Sequence, residues 1–197
     1  MDDATRVLRW DELEATPWKN GGGSTRNLAA APADATLADF DWRVSLADVE
    51  ADGPFSAFSD VERVIMLIEG SEMILTVDGA THRLGRHDTL EFSGAADTTC
   101  RVPSGPTRDL NLMTRSGRAE GSLRPVAVTG RYELMLGQDE AAVLVALTSG
   151  LSVEGEGEGA GSALELGPLD CVRRHAAGSV RVSGEGTLAE IRVRMRG

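Results

Sequence analysis

The sequence predicts an all-β protein, and three observations predict it. Helical signals are sparse: 23 glycines punctuate the 197 residues, and few stretches place apolar residues at i, i+3, i+4 and i+7. Short β-branched or alternating runs recur instead, separated by turn signals such as Asp78-Gly79, Gly53-Pro54 and Gly167-Pro168. Third, part of the chain is repeated. Leu84-Gly85-Arg86-His87-Asp88-Thr89-Leu90 recurs 82 positions later as Leu166-Gly167-Pro168-Leu169-Asp170-Cys171-Val172, in the pattern L-G-x-x-D-x-apolar.

The runs expected to form strands are, in order, Trp42-Arg43-Val44-Ser45-Leu46, Arg63 through Ile68, Met73 through Val77, Asp109-Leu110-Asn111-Leu112-Met113, Ala141 through Leu147, Ser179 through Val182 and Leu188 through Val193. Many short strands with frequent turns make a sandwich or barrel. The repeat narrows this. Leu67-Ile68-Glu69-Gly70 loosely matches Ala146-Leu147-Thr148-Ser149-Gly150, each preceding a further strand. A strand ending in Gly, a second strand, then a G-x-x-D turn feeding a third is the rhythm of a cupin-like double-stranded β-helix barrel, and two copies predict a bicupin arrangement. The expectation is one compact unit over 1–197, with halves at 1–120 and 121–197. Asp11-Glu12-Leu13 could open one helical turn, and the acidic Glu154-Gly155-Glu156-Gly157-Glu158-Gly159-Ala160-Gly161 stretch cannot pack and reads as a loop.

Composition removes several function classes. With 20 Lys+Arg against 31 Asp+Glu the net charge is −11, which argues against a nucleic-acid partner, since neutralising phosphates needs a basic face. No apolar run approaches the ~20 residues that span a bilayer, so no membrane partner is expected. Met1-Asp2-Asp3-Ala4-Thr5 carries no charged-then-apolar leader, and Cys100 and Cys171 lack C-x-x-C spacing, so a reducing cytoplasmic setting is expected. Of the cations only Lys19 is lysine. A compact ammonium surviving among arginines marks that position.

Two constellations hold polar chemistry. Trp18-Lys19-Asn20-Gly21-Gly22-Gly23-Ser24-Thr25-Arg26-Asn27 gathers three glycines with the donors of Lys19, Asn20, Thr25 and Arg26. It reads as an anion-cradling loop or as a glycine-rich hairpin; it is not a Walker A motif, because Lys19 precedes the glycines. The second follows from period two. Arg43, Ser45 and Ala47 share one face of their strand, and Asp109, Asn111 and Met113 share one face of theirs, each opposite an apolar side. Arg43 and Arg63 near Asp109 make either a carboxylate pocket or a structural ion pair. His82, His87 and His175 stand apart with no H-x-H, so neither a metal nor another cofactor is expected. Glu69 with Glu72, and Asp48 with Glu50 and Asp52, read as solvated charges. Phe55-Ser56-Ala57-Phe58 reads as a turn whose aromatics plug a barrel end, or as a lid.

At these residues the chain resembles the HutD/Ves family. The resemblance rests on Trp18 through Arg26, on Asp41-Trp42-Arg43-Val44-Ser45-Leu46-Ala47 with Asp52-Gly53-Pro54-Phe55-Ser56, on Arg63, and on Asp109-Leu110-Asn111-Leu112-Met113, covering about residues 7 to 115. Leu110 stands where that family's motif has Phe, on the apolar face. The resemblance implies a metal-free cupin-like barrel with a polar pocket for a small anionic metabolite, a carboxylate such as N-formyl-glutamate, in a regulatory role linked to histidine utilisation. Lys19, Arg26, Arg43 and Arg63 would supply charge, Asn20 and Asn111 orienting hydrogen bonds, and Met113 an apolar wall, with Thr25, Ser45 and Asp109 completing the set. The rival readings are an isomerase or hydrolase using Lys19, and a purely structural interaction protein. Edge strands leave a homodimer open.

Overall fold

The computed structural model describes residues 5–154 and 163–197. The greater part of the acidic stretch that was expected to form a loop lies outside the described residues. Among those described, one 3-10 turn at Trp10–Glu12 is the sole helical element, beginning one residue before the expected Asp11. No helix among them is long and apolar enough to cross a membrane.

The chain divides into two compact units. One is continuous, Glu14–Leu123. The other joins residues 5–13 to Arg124–Gly197. The expected halves therefore need correcting, because the N-terminal residues were counted with the first. The reason is strand pairing: β1 (Arg6–Leu8) lies antiparallel on β16 (Cys171–Arg174), and Val7 packs against the apolar cluster of that unit.

The Glu14–Leu123 unit contains β2 (Thr16–Pro17), β3 (Gly23–Ala31), β4 (Trp42–Val49), β5 (Gly53–Pro54), β6 (Val61–Glu69), β7 (Met73–Val77), β8 (Ala80–Leu84), β9 (Thr89–Ser93), β10 (Thr98–Arg101) and β11 (Thr107–Arg115). They form two antiparallel sheets, a larger one in the order β2-β3-β4-β11-β6-β9 and a smaller one in the order β5-β10-β7-β8. Val49, Ile65, Leu67 and Phe92 from the larger sheet pack with Met73, Leu75, Leu84 and Cys100 from the smaller. Each such side chain contributes roughly 1.5–3 kcal/mol by leaving water. Phe40, Val61 and Met113 form a separate apolar cluster, with Phe58 packed on it.

Register decides what faces the inside of this barrel. Arg43, Met113 and Arg63 stand in one row across β4, β11 and β6; Ser45, Asn111 and Ile65 form the next row; Ala47, Asp109 and Leu67 the third. On the opposite face Trp42, Val44, Leu46, Leu110 and Leu112 are all at most 1% exposed. The sheet is thus covered on both faces. The polar side of β4 and β11 lines an interior.

The second unit places β13 (Glu140–Ala146), β14 (Leu151–Glu154), β15 (Ala163–Leu166), β16 and β17 (Gly178–Met195) with β1 in the order β1-β16-β13-β17-β14-β15, and β12 (Ala119–Leu136) also pairs with β17. The two runs expected at Ser179–Val182 and Leu188–Val193 are one long strand. Its core is aliphatic, built from residues such as Leu144, Leu151, Val153, Val172, Val182 and Leu188.

The repeated motif forms the same turn in each unit. Gly85 N–H donates to Asp88 Oδ2 at 2.8 Å and Gly167 N–H to Asp170 Oδ2 at 2.9 Å. His87 and Leu169 both take left-handed backbone, φ 69° and 68°. Their amides donate to Leu67 O and Ala146 O, each at 2.7 Å, which fixes the loosely matched upstream segments as equivalent.

Candidate functional site

Arg63 is the central side chain of the interior. It is 5% exposed, and its guanidinium lies over the Phe55 ring at 5.2 Å and the Phe92 ring at 5.1 Å. Burial pushes its pKa down to about 10, with Arg43 adding repulsion and Asp109 opposing both. Arg43, two strands away in the same row, is also pushed down by burial, and donates from Nη1 to Ser45 Oγ at 3.2 Å.

Asp109 is 1% exposed, and burial drives its pKa up to about 7, against the pull of Arg63 and with a further push from Asp48. Among the described residues Arg63 Nε, Asp109 Oδ2 and Asn111 Oδ1 are buried polar atoms without a hydrogen-bond partner. A buried polar group left unpaired costs about 1–3 kcal/mol, and more when charged. The three lie on the adjacent strands β6 and β11 of one wall. Ser45 and Asn111 share a row, and Met113 separates the two arginines.

On the aromatic side of the site, Phe55 was expected as a plug or a lid and Phe92 was not expected. Phe55 contacts Arg63 on one side and meets Trp18 edge-on at 6.5 Å on the other. The two phenylalanines expected to share a role therefore part: Phe58 plugs the Met113 end, and Phe55 lies at the arginine. Trp18 donates from Nε1 to Thr25 Oγ1 at 2.7 Å, so Thr25 positions the tryptophan. A crevice of about 10 Å³, room for a single water, opens here, lined by Trp18, Asn20, Gly22, Val49, Phe55 and Cys100. Burial pushes the Cys100 thiol up to about 12, so it stays protonated and unreactive.

The anion-cradling reading of the glycine segment needs correction. Arg26 pairs in register with Leu46, on the face opposite Ser45, and donates from Nη1 to Asp48 at 2.5 Å. Arg108 binds the same carboxylate through Nε at 2.6 Å and Glu69 through Nη1 at 2.6 Å. This ladder also answers the expected solvation of Asp48 and Glu69: burial pushes the Asp48 carboxyl up, but the bonds from Arg108 and Arg26 outweigh it and hold it low. Lys19 is exposed in the turn before β3, and Asn20, also exposed, spends its Oδ1 accepting from Gly22 N–H at 3.1 Å. Arg26→Ala should cost about 0.5–1.5 kcal/mol of stability, read from a urea midpoint, and leave anion affinity within twofold. A tenfold loss of affinity would return Arg26 to the site.

In the second unit the corresponding position is closed. By the turn equivalence, Glu190, opposite Leu144, occupies the position that Asn111 holds opposite Ile65. Its carboxylate is 3% exposed and accepts from Arg124 Nε at 2.8 Å and from the Tyr132 hydroxyl. Those groups satisfy one another. No three His, Cys, Asp or Glu side chains among the described residues are placed to hold a metal ion.

Comparison with known proteins bears on these features. A family model described as HutD matches residues 11–189. The chain is 33% identical over 169 residues to an uncharacterized 21.2 kDa protein in the hutC 3' region of Pseudomonas putida, covering 85% of each. It is 40% identical over 109 residues to Protein Ves of Citrobacter koseri, a match spanning 54% of this chain and 56% of that protein. The solved structure of HutD from Pseudomonas fluorescens SBW25, in its formate condition, superposes with a TM-score of 0.83 at 32% identity, covering 98% of this chain and 100% of that one. A likeness of fold alone, TM-score 0.68 at 9% identity over 98% of this chain and 100% of that one, extends to the bacterial pirin YhhW of Escherichia coli, so the all-β architecture is cupin-like.

Proposed function

The chain belongs to the HutD family, and from that premise we propose that its Glu14–Leu123 unit binds a small carboxylate without a resident metal. The observation that carries the proposal is the set of buried, unpartnered polar atoms on Arg63, Asp109 and Asn111. A carboxylate supplies the acceptor that Arg63 Nε lacks, and an amide N–H such as that of an N-formyl amino acid supplies the donor that Asn111 Oδ1 lacks. The carboxylate oxygens accept from Arg63 and Arg43, and a charge-assisted bond in a desolvated site is roughly twice as strong as a neutral one. Distant surface carboxylates are screened, so a net charge of −11 does not oppose a local cationic pair.

The role is regulatory: the protein senses an intermediate of histidine utilisation in the cytoplasm, with N-formyl-glutamate the first candidate. The two units are read as two cupin-like repeats, the first retaining an open site and the second closed by Arg124, Glu190 and Tyr132. Support for the repeat is the shared turn; support for the pathway is the company of relatives named for the hut region. The exposed position of Lys19 gives the enzyme reading no observation of its own.

Thermal unfolding against N-formyl-L-glutamate, glutamate, urocanate and histidine tests the proposal. A ligand at 100 times its Kd adds about 2.7 kcal/mol, roughly 5–10 °C for a chain of this size. The expected result is a shift with N-formyl-L-glutamate that survives a chelator and yields no product by mass spectrometry. A flat response across the panel would overturn it.

A further inference from the structure

Resting on the binding reading above, we infer that Asp109 holds the anion as the protonated acid, donating its carboxyl O–H to the ligand, so that binding is coupled to uptake of one proton.

The geometry around the carboxyl points there. Asp109 lies on the inner face of β11, between Ala47 of β4 and Leu67 of β6, both apolar. Its Oδ2 is buried and takes no hydrogen bond. Arg63 lies over the Phe55 and Phe92 rings, and no ion pair joins it to Asp109 among the described residues. The groups acting on Asp109 from the elements around it are Arg63 of β6, Asp48 of β4 and the Cys100 thiol of β10. Asp48 repels a second negative charge, and the thiol is neutral. A charged Asp109 would be a bare carboxylate in an apolar row, and burial pushes its pKa up to about 7.

An arriving anion tips that balance. A second negative charge beside Asp109 disfavours its ionised form further, while the neutral acid offers a donor where the ligand has lone pairs. The proton comes from solvent and stays on Asp109; no covalent bond is made or broken. The ligand carboxylate and the arginines do not titrate between pH 6 and 8, so the dependence belongs to Asp109.

The test is calorimetric titration at pH 6, 7 and 8, in two buffers of different ionisation enthalpy, with N-formyl-L-glutamate and formate as probes. Kd is expected to weaken close to tenfold per pH unit above about 7, with a proton uptake approaching one at pH 8. Asp109→Asn keeps a neutral donor of the same shape. It is expected to bind at pH 8 nearly as the wild type does at pH 6, with the pH dependence gone. That comparison also separates Asp109 from the chain's histidines. A wild-type Kd that is flat from pH 6 to 8 with no buffer-dependent heat overturns this inference and leaves the binding site standing. Absence of binding by either probe at every pH overturns the binding reading itself, and this inference with it.

Discussion

Arg63→Ala is expected to weaken binding of a small carboxylate at least 100-fold. The guanidinium is held by two aromatic rings and is already stripped of water, so its cost of burial is met in the unliganded protein and little reorganisation remains when the anion arrives. Removing one partner of a buried charge pair costs about 2–5 kcal/mol, which sets the size of the loss. Stability should change far less. Deleting the side chain removes contact with Phe55 and Phe92, but it also removes a buried cation whose desolvation opposes folding. Arg63→Lys keeps the charge and loses the planar fork, and should fall between. Titration of the same probe into each variant decides the matter. An affinity within fivefold of wild type for Arg63→Ala would put the anion elsewhere in the molecule.

Gly23→Ala is expected to destabilise the protein by about 3 kcal/mol or more, a drop on the order of 6–12 °C in Tm. A β-carbon there would sit 2.1 Å from the backbone oxygen of Asp48, which cannot move without opening the β3–β4 ladder, and 3.2 Å from the Trp18 ring. The Gly23 carbonyl also accepts from Trp18 N–H at 2.9 Å, so the same displacement would carry the tryptophan away from Phe55. Gly21 offers the internal comparison: its φ of 71° strains any other residue, yet nothing lies within 4 Å of an added β-carbon. Gly21→Asn should therefore cost under about 1 kcal/mol, since asparagine tolerates that backbone. A Tm for Gly23→Ala within 2 °C of wild type would show that the hairpin can shift freely.

These two glycines show where the sequence was readable and where it was not. Three in succession suggested a cradle for an anion, because sequence displays conformational freedom but not what comes close. The need at Gly23 is set by Asp48, 25 positions away. The site wall was more legible: alternation along β4 and β11 put Arg43, Ser45, Asp109, Asn111 and Met113 on inward faces, since period two survives whatever lies across the sheet. Phe55 and Phe92 carry no such signal, for their meeting at Arg63 depends on how the chain around β5 and β9 approaches β6. Arg26 was misplaced because it shares a run with Thr25 and Asn27 while pointing to the other face. Strand β7 coincides with its expected run, whereas β12 was not foreseen at all. Its Gly121, Pro125 and Gly130 read as breaks, and its many exposed residues blur the alternation.

The pairing of β1 with β16 also sets an order of assembly. Arg9 and Asp170, joined at 2.5 Å in the second unit, lie 161 positions apart in the chain. On a ribosome adding about 5–20 residues per second, β1 waits roughly 10–30 s before its partner β16 exists. All of Glu14–Leu123 is synthesised in that interval, so β1 takes its place in the sheet only after the whole of that unit has been made.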